Sequence, residues 1–288
     1  MSVTTRIQEL NNRLATNLVS KGVSAEGTET TTELINKVND IESGGTSVIN
    51  PEWTDWCYFS YYDNRNDLVA KLKYSDTANG IDFSNMFYYC SKLTSIPQID
   101  TSNGTNFGFM FYYCSALKTI PQLNTSKGTS FMQMFSGCNS LTSIPQIDTS
   151  NGTNFNNMFS TCSNLTTIPQ LNTSKGTSFN SMFSYSSKLT TISLLNMSSM
   201  SDKSWSNMFQ SCTALENVTF EGTIPVRGNM RVFSSCPKLT VDSLMSFINA
   251  LTNMSDTATY TITIGSTNLA KLTEEQIQIA TDKRITLQ

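Results

Sequence analysis

An α/β solenoid is the fold class this sequence predicts, and three observations carry it. The line Met86-Phe87-x-x-Cys90-x-x-Leu93-x-x-Ile96-Pro97 returns at Met110, Met134 and Met158, every 24 residues, and a fixed period of that size marks a repeat array. Each copy is too small to bury its apolar face alone, so copies must stack. Between copies lies a recurring Asp/Asn-Thr-Ser-x-Gly segment, the polar, glycine-bearing kind of sequence that turns a chain. The expected architecture is a right-handed stack of about seven such rungs, with an N-terminal helical segment and a C-terminal α/β cap.

Taken in chain order, residues 1–45 come first. Ile7, Leu10, Leu14 and Leu18 recur at spacings of three and four, and Leu34, Val38 and Ile41 repeat the pattern after a polar loop, which predicts two amphipathic helices. Short helices are marginal alone in water, so this stripe is expected to anchor or oligomerise the chain. Gly44 and Gly45 form a hinge, and residues 46–78 hold an aromatic cluster around Trp53 and Trp56 and a degenerate first rung at Leu72. That stretch reads as an N-terminal cap over the first exposed rung.

The solenoid proper is expected over 79–238. Phe107, Met110, Phe111 and Cys114 fall at i, i+3, i+4 and i+7, one face of two helical turns, so each rung is expected to be a short helix followed by a very short parallel strand. Strand length is limited by Pro97, Pro121, Pro145 and Pro169, which offer no N–H to a ladder. A longer period overlies the first. PQIDTSNGTNF stands at 97 and 145 and PQLNTSKGTSF at 121 and 169, so the surface alternates Asp100 and Asn103 with Asn124 and Lys127. Residues 239–288 change style and read as the C-terminal cap: a helix over VDSLMSFINAL with Asp242 as its N-cap, a strand at TYTITIG, and a helix opened by Thr273.

Composition removes several function classes. The chain has no histidine, hence no Ser-His or Cys-His nucleophile pair. An enzyme is not expected; one acting on glycans would need a cleft with a perturbed carboxylate pair. Charged residues make up 14% and the net charge is −3, so no basic field invites nucleic acid or an anionic membrane. No stretch is long and apolar enough to cross a bilayer, and the N-terminus lacks the apolar run of a secretory signal, so export by the general route is not expected. Cys90, Cys114, Cys138, Cys162, Cys212 and Cys236 share one repeat position that Ser186 also fills. They are expected to be free, buried thiols acting as small apolar residues, too far apart for disulfides if packed helices separate the rungs. Without a CxxC pair, neither a metal nor another cofactor is expected.

Contact residues are sought among positions that the core does not explain. Gln98, Gln122, Gln146 and Gln170 recur beside Pro, and Tyr88, Tyr89, Tyr112 and Tyr113 form an aromatic patch on early rungs. Tyrosine rings suit stacking on sugars, and both rows are candidate ligand-binding residues.

The MF-x-x-C-x-x-L-x-x-I-P line, with Phe three residues before the Met, resembles the BspA-like leucine-rich repeats of bacterial surface proteins and phage structural proteins, over about residues 68 to 240. The tail LTVDSLMSFINAL…LTEEQIQIATDK looks like the terminal cap of such repeats. KGVSAEGTETTTELINKVNDI is similar to N-terminal segments of phage tail and head-fibre proteins. The resemblance implies a leucine-rich-repeat-like stack in a virion structural protein, a head or tail fibre or decoration. Such a protein is made in the host cytoplasm, is exposed on the particle, and is joined to other virion proteins, as a homo-oligomer, through its N-terminal helices. Its partner would be a host surface glycan or protein. The alternative is a bacterial cell-surface adhesin.

Overall fold

The structure is a computed structural model that describes residues 77–200, 205–226, 228–253 and 258–288. The expected anchoring helices (Ile7, Leu10, Leu14, Leu18, Leu34, Val38, Ile41), the hinge at 44–45, the Trp53 cluster and Leu72 lie outside the described residues.

From Thr77 onward each copy lays the same side chains into one interior. Phe83, Met86, Phe87, Cys90, Leu93, Ile96 and Ile99 are buried, as are their equivalents from Phe107 to Leu123 and from Phe131 to Ile147. Backbone hydrogen bonds alternate along the segment. Phe83, Asn85, Phe87 and Tyr89 donate to the carbonyls of Asn106, Gly108, Met110 and Tyr112 in the next rung, at 2.9, 3.1, 2.9 and 2.7 Å. The residues between them turn inward. Met86, Tyr88 and Cys90 donate three residues back, to Phe83, Asn85 and Phe87.

This pattern corrects the expected helix. The segments at 83–90, 107–114 and beyond are chains of linked tight turns, with no α-helix in them. Asn85 and Tyr89 sit at φ 60 and 59, and Phe109, Tyr113, Asn157, Thr161, Ser181 and Tyr185 repeat the left-handed conformation. A positive φ at the third residue of a four-residue turn is the mark of type II. An α-helix would turn its N–H groups beyond the first turn to carbonyls four residues back, whereas here every second N–H along the whole segment joins the rungs. Four-residue turns bring positions 83, 86, 87 and 90 to one side just as a helix does, so apolar spacing alone does not separate the two.

The extended side of each rung behaves as its prolines dictate. Through the Pro-bearing copies, parallel pairing is reduced to isolated bridges: Asp82 to Asn106, Asn106 to Ser130, Ser130 to Asn154 and Asn154 to Ser178 on the turn side, and Thr167 to Thr191 on the extended side, just before Pro169. Where Ser193 replaces Pro, β1 (Thr191–Asn196) forms and pairs in parallel with β2 (Asn217–Glu221).

Two aromatic columns run up the interior. Phe83, Phe107, Phe131, Phe155 and Phe179 stack with centroids 5.5 to 5.8 Å apart, and the column from Phe87 through Phe111, Phe135, Phe159 and Phe183 to Phe209 has steps of 5.3 to 5.9 Å. Beside them runs the cysteine row, free and buried among the described residues. Its thiols do more than fill space. Cys114, Cys138, Cys162, Cys212 and Cys236 each donate Sγ–H to the carbonyl of a Phe one rung back, at 3.0 to 3.2 Å. Ser186 makes the same bond to Phe159 at 2.6 Å, which is why the array accepts serine there. Rungs joined directly by hydrogen bonds lie closer than packed helices, so distance is not what keeps the thiols apart. Burial pushes the Cys90 and Cys162 thiols up to about 12, and a thiol that stays protonated neither exchanges nor binds metal.

Beyond Glu221 the described elements are β3 (Met230–Arg231), α1 (Val241–Ala250), β4 (Tyr260–Thr263), α2 (Ser266–Leu269), α3 (Glu274–Asp282) and β5 (Ile285–Leu287). Strands β3, β4 and β5 make one parallel sheet in that order. Helix α1 takes the place of a further strand beside β2: Ser243 and Ser246 accept from the β2 amides of Val218 and Phe220 at 3.0 and 2.8 Å, satisfying donors that an open edge would leave bare. Its N-cap is Thr240 rather than Asp242, because the Thr240 side chain reaches the Ser243 amide while Asp242 lies in the first turn. Thr273 opens α3 with a capping box to Gln276. Buried Asn268 donates Nδ2–H to the carbonyls of Phe233 and Cys236 at 3.3 and 3.1 Å. Phe233 is thus served by an amide where Phe87 to Phe209 are served by a thiol or hydroxyl.

Candidate functional site

The extended segments of successive rungs together floor a long open groove of about 1150 Å³, lined from Gln98 through Gln122, Gln146 and Gln170 to Glu221. Five rung steps of roughly 4.8 Å make it about 24 Å long. Its floor is held by side chains bonded to backbone. Gln98 donates Nε2–H to the Gln122 carbonyl at 2.7 Å, Gln122 to that of Gln146, and Gln146 to that of Gln170 at 2.9 Å. These amides join rungs in the very segment where proline has removed a backbone donor. The row is therefore part of the scaffold as well as of the groove lining.

Two further rows complete the floor. Thr101, Thr125, Thr149 and Thr173 are buried and donate to the carbonyls of Asn124, Asp148, Asn172 and Asn196 at 2.7 to 2.8 Å. Those four residues and Asp100 each accept, through Oδ1, the amide two residues on: Ser102, Ser126, Ser150, Ser174 and Ser198. This local turn is why Asp or Asn recurs at the position. The bonds from Ser150 hold the Asp148 carboxyl below the usual carboxylate range, so it stays ionised near neutrality. The lining holds Asp148 and Glu221 and neither lysine nor arginine. It offers carboxylates, amides and hydroxyls to an elongated, hydrogen-bonding ligand.

The tyrosines fall elsewhere. Tyr88 stacks on Tyr112 at 5.0 Å and Tyr89 on Tyr113 at 5.1 Å, with edge contacts between the columns, and none of the four lines the groove. Burial and the neighbouring phenols push Tyr112 up to about 12. Tyr113 is 39% exposed and is the outward face of the patch. The two predicted rows thus occupy separate surfaces. Leu194, Asn196 and Glu221 also line the groove without belonging to the predicted set, because the Pro-Gln signature that marks the floor stops at Gln170.

Among the described residues there is no group of three or more His, Cys, Asp or Glu placed to hold a metal ion, and no helix long and apolar enough to cross a membrane.

A stack of near-identical rungs with a buried Phe, Met, Cys and Leu interior and a polar groove is a repeat solenoid. Residues 179–277 match the BspA type leucine rich repeat region, so the BspA-like repeats read from the sequence are present. Residues 58–144 and 117–221, together more than half of the chain, match the family described as "Mycoplasma protein of unknown function, DUF285". The chain belongs to that family. A crystal structure of a leucine-rich repeat protein from Bacteroides ovatus is similar at 18% identity and a TM-score of 0.30, over 63% of this chain and 51% of that one. A superposition that loose does not establish a shared fold, and the chain spans about half the length of that protein. No curated protein matches the chain.

Proposed function

We propose that the chain is a non-enzymatic adhesion protein that presents the groove from Gln98 to Glu221 to a host-surface glycan or protein, as a head fibre, tail fibre or decoration of a phage particle. The groove itself carries this reading. Five successive rungs contribute equivalent polar positions to one continuous recess, an arrangement that suits an extended ligand better than a single reacting centre. The virion setting is supported by the likeness of the leader to phage fibre segments, with residues 1–45 as the attachment to other virion proteins. A bacterial cell-surface adhesin is the second reading, and the BspA-type repeats favour it.

Deleting residues 1–45 separates the two. The truncated chain should fail to join purified particles while its solenoid still folds by circular dichroism. Incorporation at normal copy number would rule out the anchoring role.

A further inference from the structure

The chain contains the dipeptide Asn-Gly at residues 79–80, 103–104 and 151–152. Asn-Gly is the sequence most open to spontaneous deamidation, because an unsubstituted glycine lets its own amide nitrogen reach the preceding side chain. Packing dictates the glycine. A Cβ at Gly80 would lie 2.7 Å from Phe83 Cζ, and at Gly104 and Gly152 it would lie 2.5 Å from Phe107 and Phe155 Cζ. The Phe column forbids a side chain there, so any protection must come from the asparagine.

At two of the sites it does. Asn103 donates Nδ2–H to the Ala78 carbonyl at 2.9 Å and accepts from Lys127 Nζ at 2.7 Å. Asn151 is held the same way by the Ser126 carbonyl at 2.8 Å and Lys175 Nζ at 2.7 Å. The doubled 48-residue period has a physical meaning here, since lysine in one rung clamps asparagine in the rung before. Asn79 has no such clamp. The residue one rung on is Asn103, and Asn79 is exposed with no side-chain hydrogen bond among the described residues. The glycine amides do not discriminate, since Gly80, Gly104 and Gly152 donate to Thr77, Thr101 and Thr149 at 2.8 to 2.9 Å alike.

We infer that Asn79 is a site of spontaneous covalent modification in the folded protein, and that the Lys127 and Lys175 clamps protect Asn103 and Asn151 from the same fate. In the step, the Gly80 nitrogen gives up its proton and attacks Asn79 Cγ. The bond from Cγ to the side-chain nitrogen breaks, ammonia leaves, and a cyclic imide forms. Water then opens the imide at either carbonyl, giving aspartate or isoaspartate. Releasing Asn103 or Asn151 to react requires breaking two hydrogen bonds, one from an ammonium, which slows them about tenfold or more relative to Asn79.

The test is peptide mapping by mass spectrometry of the full-length chain aged in mildly alkaline buffer, following the single-dalton gain at each Asn-Gly. Asn79 should convert at least about tenfold faster than Asn103 and Asn151 while folded, and all three should converge in urea. Lys127→Ala should raise the rate at Asn103 alone, and Lys175→Ala that at Asn151 alone. Equal rates at the three sites in the folded chain would overturn the proposal. Lysine variants that leave Asn103 and Asn151 unchanged would overturn the clamp.

Discussion

The rungs from Pro97 to Leu171 and those from Thr191 to Glu221 share one interior but are joined differently along the groove. In the first group, proline interrupts the ladder and glutamine side chains bond each rung to the next. In the second, Ser193 and Thr219 stand where proline would be, and β1 and β2 pair through their backbones. The handover falls at Gln170, which accepts from Gln146 and, among the described residues, donates to nothing. A parallel stack therefore does not need a continuous sheet. A side chain can take over the joining of rungs.

The largest expected effect tests what the two groups share. Phe135 and Phe209 occupy the same column on either side of the handover, so Phe135→Ala and Phe209→Ala should each cost about 3 to 5 kcal/mol in urea unfolding. A Phe135 variant costing far less would mean that the Pro-bearing rungs do not share the interior of the Pro-free ones.

The next effect lies at the end of the array. Asn268→Ala removes the donor to Phe233 and Cys236 and should cost about 1 to 3 kcal/mol, read as a lower urea midpoint. No change would show that these carbonyls find other partners.

The smallest effect sharpens the contrast within the glutamine row. Gln122→Ala and Gln146→Ala should each lose about 1 kcal/mol, and Gln170→Ala close to nothing. Equal losses at all three positions would dissolve the distinction between a joining amide and a free one.

Much of this was legible from the period. It placed Phe, Met, Cys, Leu and Ile in the interior and marked proline as the limit on pairing, and the structure buries those positions in the described copies, with Ile168 only partly buried. The turn chain in place of a helix was not, because four-residue turns and helices bring the same positions inward. The usable signal lay in Asn85, Asn157 and Asn207 at one of the two positive-φ places of a copy and Gly137 at the other, residue types that tolerate that conformation, though other copies carry Phe109, Gln133 or Tyr113 there. The thiol donors could have been suspected from Ser186, a hydroxyl in a buried row. Asn268 could not, since it bonds residues 32 and 35 positions away and follows no repeat. The candidate rows were found, but not their faces: spacing says which residues recur, and only the path of the rung says that Gln98 lines the groove and Tyr113 does not.

We propose the groove floored by these rungs as the contact surface. The direct measurement is binding of the full-length chain to a glycan array, for the parent, for the groove variant Asp148→Ala/Asn172→Ala, and for the patch variant Tyr112→Ala/Tyr113→Ala. Loss of several side-chain hydrogen bonds to ligand should weaken the groove variant about tenfold or more, with the patch variant unchanged. A groove variant that binds as the parent does, beside a patch variant that has lost binding, would contradict it and move the contact surface to the tyrosines.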